Sequence, residues 1–150
     1  MSQFTQPELQ TFAEGWYQKL DVHAPVEEIT PLLATDGLKM VFPEATLEGV
    51  DKFIAWYRGG DDLPGVINIF FDEVHQVKSV ELAGTEGDKT IIKVVVKWEA
   101  SVWQAPDANS KRIVLDAYQT WEVVKLPSGS PGVITYIVDE LKYYPGSATL

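Results

Sequence analysis

The chain has 150 residues, 45% hydrophobic and 23% charged, enough for one domain with a real core and too few for two ordinary domains. Twelve basic residues against 22 acidic ones leave a net charge of −10, which argues against nucleic acid or an anionic membrane as a partner. With no cysteine, disulfides, thiolate catalysis and Cys-ligated metals are excluded, and no apolar run reaches the roughly 18 residues of a membrane span.

The opening stretch MSQFTQPELQ lacks the basic start and apolar run of a secretory signal, so the cytoplasm is the expected location. Thr5 and Glu8 form a capping-box pattern. Behind it Leu9, Phe12, Ala13, Trp16, Tyr17 and Leu20 recur at helical spacing and predict an amphipathic helix. Pro25 breaks that period, and Val26, Ile29, Leu32 and Leu33 predict a second, short helix ending near Asp36-Gly37. Leu38 to Phe42 reads as a short strand stopped by Pro43, with Thr46 to Glu48 as its partner. Gly49 then starts a third helix, in which Val50, Phe53, Ile54 and Tyr57 share a face and Asp51 lies in the first turn, where the helix dipole favours an acid.

After Gly59-Gly60 the period changes to two. Val66–Leu82, Thr90–Trp103, Arg112–Leu126 and Val133–Tyr143 are β-rich runs separated by AGTEGDK, QAPDANSK and PSGSPG, all turn-forming compositions. They predict an antiparallel meander of four strands, each well beyond the about five or six residues of an ordinary strand. Strands of that length must twist and bend, and a strongly curved sheet partly covered by three helices leaves a cavity.

FAEGWYQKLD, FPEATLEGVDKFIAWY, VHQVKSVEL and LDAYQTWEVV, in this element order, resemble the SnoaL-like polyketide cyclases of the NTF2-like superfamily over nearly the full length. The resemblance implies an α+β fold, a cone-shaped barrel of three N-terminal helices packed on a strongly curved, mainly antiparallel sheet. That fold hosts cyclases, isomerases, dehydratases and non-catalytic binders, so function has to be argued from the site.

Phase along the strands selects candidates. Ile92, Val94, Val96, Trp98, Ala100 and Val102 share one face of their strand, and Ile113, Leu115, Ala117, Gln119, Trp121 and Val123 share one face of the next. Gln119 is the polar side chain of an otherwise apolar face and requires a partner, either a protein group or a ligand. His75 can move a proton near neutral pH without much tuning. Its place in VHQVKSVEL resembles that of a cavity histidine in scytalone dehydratase; the alternative is an ordinary hydrogen-bonded strand histidine. The dehydratase pattern also has a second histidine on the following strand, where this chain has Trp98 to Ser101, and a Tyr-Asp pair in the first helix, where Trp16-Tyr17 offers no acid. Asp139 is similarly placed to the acid/base aspartate of SnoaL-like cyclases, but its strand phase leaves cavity and solvent both open.

His23 is expected to cap or brace the turn after the first helix, and no metal or cofactor is expected. Trp16, Tyr17, Phe53, Trp56, Tyr57, Trp98 and Trp121 would supply an aromatic wall suited to a small apolar or aromatic ligand. Three functions remain open: a cofactor-independent isomerase, cyclase or dehydratase using His75 or Asp139, a binding module for an apolar metabolite, and an accessory homodimer paired through the outer sheet face around Val95, Trp103, Val114 and Tyr118.

Overall fold

The computed structural model describes residues 3–60, 63–103 and 105–150. Met1 and Ser2 of the opening stretch and Gln104, which begins the QAPDANSK turn, lie outside the described residues.

Helix α1 spans Gln6–Asp21 and begins where predicted: the Thr5 hydroxyl accepts from the Glu8 amide while the Glu8 carboxylate accepts from the Thr5 amide. Its stripe of Leu9, Ala13, Trp16 and Tyr17 is buried. The next apolar group forms one helical turn, α2 (Val26–Ile29), continued by a 3-10 turn over Thr30–Leu32, because Pro31 supplies no amide to carry the α-ladder on. Strands β1 (Lys39–Val41) and β2 (Thr46–Glu48) form a hairpin, and α3 runs from Val50 to Arg58.

The first long strand differs from expectation at both ends. Val66–Ile69 is a helical turn, α4, and the long strand β3 starts only at Phe70 and runs to Glu86. An unbroken apolar run does not distinguish a helical turn from a buried strand. Strands β4 (Lys89–Val102), β5 (Lys111–Lys125) and β6 (Pro131–Tyr143) complete the meander. The sheet order is β2-β1-β6-β5-β4-β3, antiparallel throughout except where β1 lies parallel to β6.

The helices pack on the inner face of this curled six-stranded sheet. Ile92, Val94, Val96 and Ala100 of β4 and Ile113, Leu115, Ala117, Gln119, Trp121 and Val123 of β5 are all buried there, as strand phase predicts. Register slips in β3 after Phe71, Val77 and Leu82 and in the β5–β6 pairing let the long strands bend. The segment 63–66 bends back against the end of α3.

Gly65 makes that turn possible. Its φ is +84°, and a Cβ there would stand 2.5 Å from the Arg58 carbonyl carbon and the Gly59 nitrogen, at the end of α3. Gly65→Ala therefore loses at least about 2 kcal/mol of stability, from the left-handed backbone and the contact together. Gly87→Ala has a positive φ but open space around it and loses only about 1 kcal/mol. Urea midpoints of the two variants measure the difference; equal losses would show that the approach to α3 does not constrain the turn.

Candidate functional site

Between the helices and the inner face of the sheet lies a cavity of about 510 Å³. Helix α1 contributes Trp16, Tyr17 and Leu20, and α3 contributes Trp56 and Tyr57. The sheet adds Phe70, Glu73 and His75 from β3, Trp98 from β4, Gln119 from β5, and Tyr136, Val138 and Leu141 from β6. Phe42 to Ala45 also line it, with Phe42 stacked on Trp56 at 4.3 Å between ring centroids.

His75 is clamped on three sides. Its ring stacks on Tyr17 at 4.6 Å and 22° and on Trp98, its cross-strand partner, at 5.8 Å and 19°. Its Nδ1 lies 2.5 Å from Asp21 Oδ1, and its backbone N–H donates to Asp21 Oδ2 at 3.0 Å. With the neutral ring, a carboxylate acceptor assigns the proton to Nδ1 and leaves the lone pair on Nε2. Nε2 has no hydrogen-bond partner among the described residues, and the side chain is only 9% exposed.

This arrangement corrects the expectation that the first helix offers no acid. Asp21 is the last residue of α1 and stands four residues after Tyr17, so the helix presents both on one face: the tyrosine covers the imidazole and the carboxylate binds it. The i, i+4 spacing of Tyr17 and Asp21 was the available signal; it was lost because Asp21 falls after the apolar stripe ends. The following strand has no second histidine, as read, and Trp98 fills that side of the site.

The two ends of Gln119 meet different surroundings. Oε1 accepts from Trp121 Nε1 at 3.0 Å and from the Tyr17 hydroxyl at 2.9 Å. Because an indole can only donate, this fixes the amide's orientation and leaves Nε2 as a donor without a protein partner among the described residues. Tyr17 spends its proton on Gln119, so Tyr136, 2.9 Å away, donates to Tyr17. Burial pushes the Tyr17 phenol well above its ordinary range, with Tyr136 adding to the shift, and burial likewise raises Tyr136. Tyr57 is pushed up to about 12 by burial and then by the charges of Glu73 and Glu28, and it donates to the Ala24 carbonyl at 2.7 Å. All three phenols stay protonated near neutral pH, so none is a base there.

Of the other candidates, Trp16, Trp56 and Trp98 line the cavity. Phe53 and Trp121 do not: both are fully buried behind it, Phe53 packed on Trp16 and Tyr57, and Trp121 holding Gln119. Asp139 is exposed and accepts from the Thr120 hydroxyl at 2.7 Å on the outer face. The β5–β6 register explains this. Gln119 pairs with Val138 and Tyr118 with Glu140, so Asp139 is the extra residue of a bulge, and inward phase passes from Tyr136 and Val138 to Leu141.

One charged group at the site was not singled out by sequence. Glu73 lines the cavity with its side chain 11% exposed; Oε1 accepts from Trp98 Nε1 at 3.1 Å and Oε2 lies 2.6 Å from His23 Nε2. His23 thus braces the end of α1 by reaching β3, not by capping its own turn. Glu44 lines the cavity beside Pro43. Among the described residues no group of three or more His, Asp or Glu side chains is placed to hold a metal ion.

No protein-family model and no curated protein matches the chain. Solved structures do. A candidate aromatic ring hydroxylase from Novosphingobium aromaticivorans superposes with a TM-score of 0.73 at 10% identity, covering 93% of this chain and 92% of that one. The chain has the NTF2-like fold. An NTF2-like superfamily protein from Salmonella enterica matches at a TM-score of 0.60 and 11% identity, over 96% of this chain and 92% of that one. The hexachlorocyclohexane dehydrochlorinase LinA-type3 from Novosphingobium barchaimii gives 0.68 at 13% identity, over 96% and 92%.

The raised phenols favour the folded state of this NTF2-like fold up to alkaline pH. Between the unfolded value of 10 and the folded value of about 12 for Tyr57, the unfolded chain loses protons that the folded chain keeps. The tyrosine contribution is therefore fully present below pH 10 and is lost as pH rises through 12. Thermal unfolding midpoints are expected to fall across this window and to fall less steeply in Tyr57→Phe. An unchanged slope in that variant would contradict the burial of the Tyr57 hydroxyl.

Proposed function

We propose that this NTF2-like domain is a cofactor-independent enzyme in which the Asp21–His75 pair removes a proton from carbon on a small, largely apolar cyclic substrate. The observation that supports this reading is the 2.5 Å contact from His75 Nδ1 to Asp21 with Nε2 left unpaired on the cavity wall. The carboxylate holds the tautomer that can accept at Nε2 and stabilises the imidazolium that results, while the flanking rings of Tyr17 and Trp98 hold the imidazole plane.

Charge then develops on the substrate. When a C–H bond next to a carbonyl gives its proton to Nε2, the electron pair moves toward the carbonyl oxygen, or expels a leaving group from the adjacent carbon. Gln119 Nε2 is a fixed donor suited to that oxygen, since the bonds from Trp121 and Tyr17 prevent the amide from turning. Tyr57, already bonded to Ala24, serves as wall. A fold neighbour named as a dehydrochlorinase is compatible with chemistry of this class in such a cavity. Asp139, on the outer face, has no part in this reading.

Hydrogen–deuterium exchange at the α-carbons of 2-tetralone in D₂O tests the base without knowledge of the natural substrate. The wild-type chain is expected to accelerate exchange, His75→Ala to lose the acceleration by about 100-fold or more, and Asp21→Asn to lose most of it, in line with the general-base contribution of about 10² to 10⁴. Far-UV circular dichroism establishes that the variants are folded. Exchange at the wild-type rate in folded His75→Ala removes the histidine from the mechanism and this reading with it.

A further inference from the structure

The end of α1 and the start of β3 are joined by two carboxylate–imidazole pairs set crosswise. The helix end supplies an acid at Asp21 and an imidazole at His23, and the strand supplies an acid at Glu73 and an imidazole at His75. Asp21 bonds His75 and His23 bonds Glu73, so one pair turns its imidazole to the cavity and the other its carboxylate. The proton-transfer reading uses only the first pair.

Two backbone features flank the second pair. His23 sits at φ +51° just beyond the helix, and Asp72 sits at φ +50°, where the β3–β4 register slips between Phe71 and Val74. Alternation puts Glu73 on the same face of β3 as His75, and the slip brings Phe70, three residues before Glu73, onto that face too, on a wall otherwise built from Ile69, Trp98 and Tyr57. A carboxylate on an apolar wall is costly unless its lone pairs are met. Trp98 Nε1 meets one on Oε1 and His23 one on Oε2, and each oxygen has capacity for another donor. With one donor on each oxygen, Glu73 retains acceptor capacity toward the cavity.

We propose that Glu73 anchors the cavity's ligand by accepting from a hydroxyl group, so that the ligand class is a hydroxylated ring, a phenol or cyclic alcohol, and not a bare hydrocarbon ring. A hydroxyl replaces the hydrogen bond that water would make to Glu73, whereas a methyl ether of the same shape cannot. The carboxylate is a specificity-determining group for the site, held in place by His23 and Trp98. The inference rests on the cavity being a ligand site and is independent of whether the ligand is transformed.

Binding measured by calorimetry with 2-naphthol, 2-methoxynaphthalene and naphthalene tests it without turnover. Wild type is expected to bind 2-naphthol at least about 10-fold tighter than the ether or the hydrocarbon, and Glu73→Leu to bind all three within about threefold of one another. Repeating the series in His75→Ala, where the preference is expected to persist, separates this inference from the proton-transfer reading. Equal affinity of wild type for naphthol and its ether, no naphthol binding at millimolar concentration, or a preference that survives in Glu73→Leu each overturns the proposal. Should Glu73→Leu fail to fold, the wild-type series decides alone.

Discussion

The site depends on where the last turn of α1 meets the first turns of β3. The Asp21 carboxylate takes two donors from one residue, the ring and the backbone amide of His75, which ties helix to strand as well as fixing a tautomer. The helix arrives there in register because its start is fixed too, by the Thr5–Glu8 capping box, and because Leu9, Ala13 and Trp16 lock its buried face onto the sheet. The Gln6 side chain adds a second tie, bonding the backbone of Val80 and Leu82 on the same strand. One helix thus touches β3 near both of its ends.

Around that junction the cavity wall separates donors from acceptors. Gln119 presents a committed N–H₂, because a donor-only indole occupies its oxygen, while His75 presents a committed lone pair, because a carboxylate occupies its other nitrogen. Tyr17 connects the two by lying over the imidazole and bonding the amide. Burial keeps its phenol protonated, so the direction of the chain from Tyr136 through Tyr17 to Gln119 does not reverse at physiological pH. Polarity fixed in advance of a ligand is what lets a few hydrogen bonds orient an otherwise apolar molecule.

Most of the architecture was legible because the strands keep their phase where they are regular. Along β4 and β5 a simple alternation identified the buried face from Ile92 to Ala100 and from Ile113 to Val123, and with it the polar exception, Gln119. The same alternation failed where the backbone departs from it. A bulge at Asp139 turns that side chain outward, and the slip at Asp72 brings Phe70 onto the face of Glu73 and His75, neither of which residue type announces. Aromatic residues at helical spacing likewise marked the interior without separating Trp56, which lines the cavity, from Phe53, which fills the core behind it.

Asp21 was missed for a different reason, and it is the more instructive case. Its neighbours Leu20 and Val22 carry the apolar signal, and a lone aspartate at a helix C-terminus reads as unfavourable, since the dipole there prefers a cation. A local rule broken at a helix end is a place to look for a partner from elsewhere in the fold, and here the partner is an imidazole 54 residues away. The same reasoning covers Glu73, whose carboxylate stands on an apolar wall, and His23, whose backbone adopts a positive φ: all three belong to the crossed pairs that join α1 to β3. Residues that each look misplaced in their own segment become mutually satisfied once the segments pack, and the lone pairs left over after that satisfaction are the ones turned to the cavity.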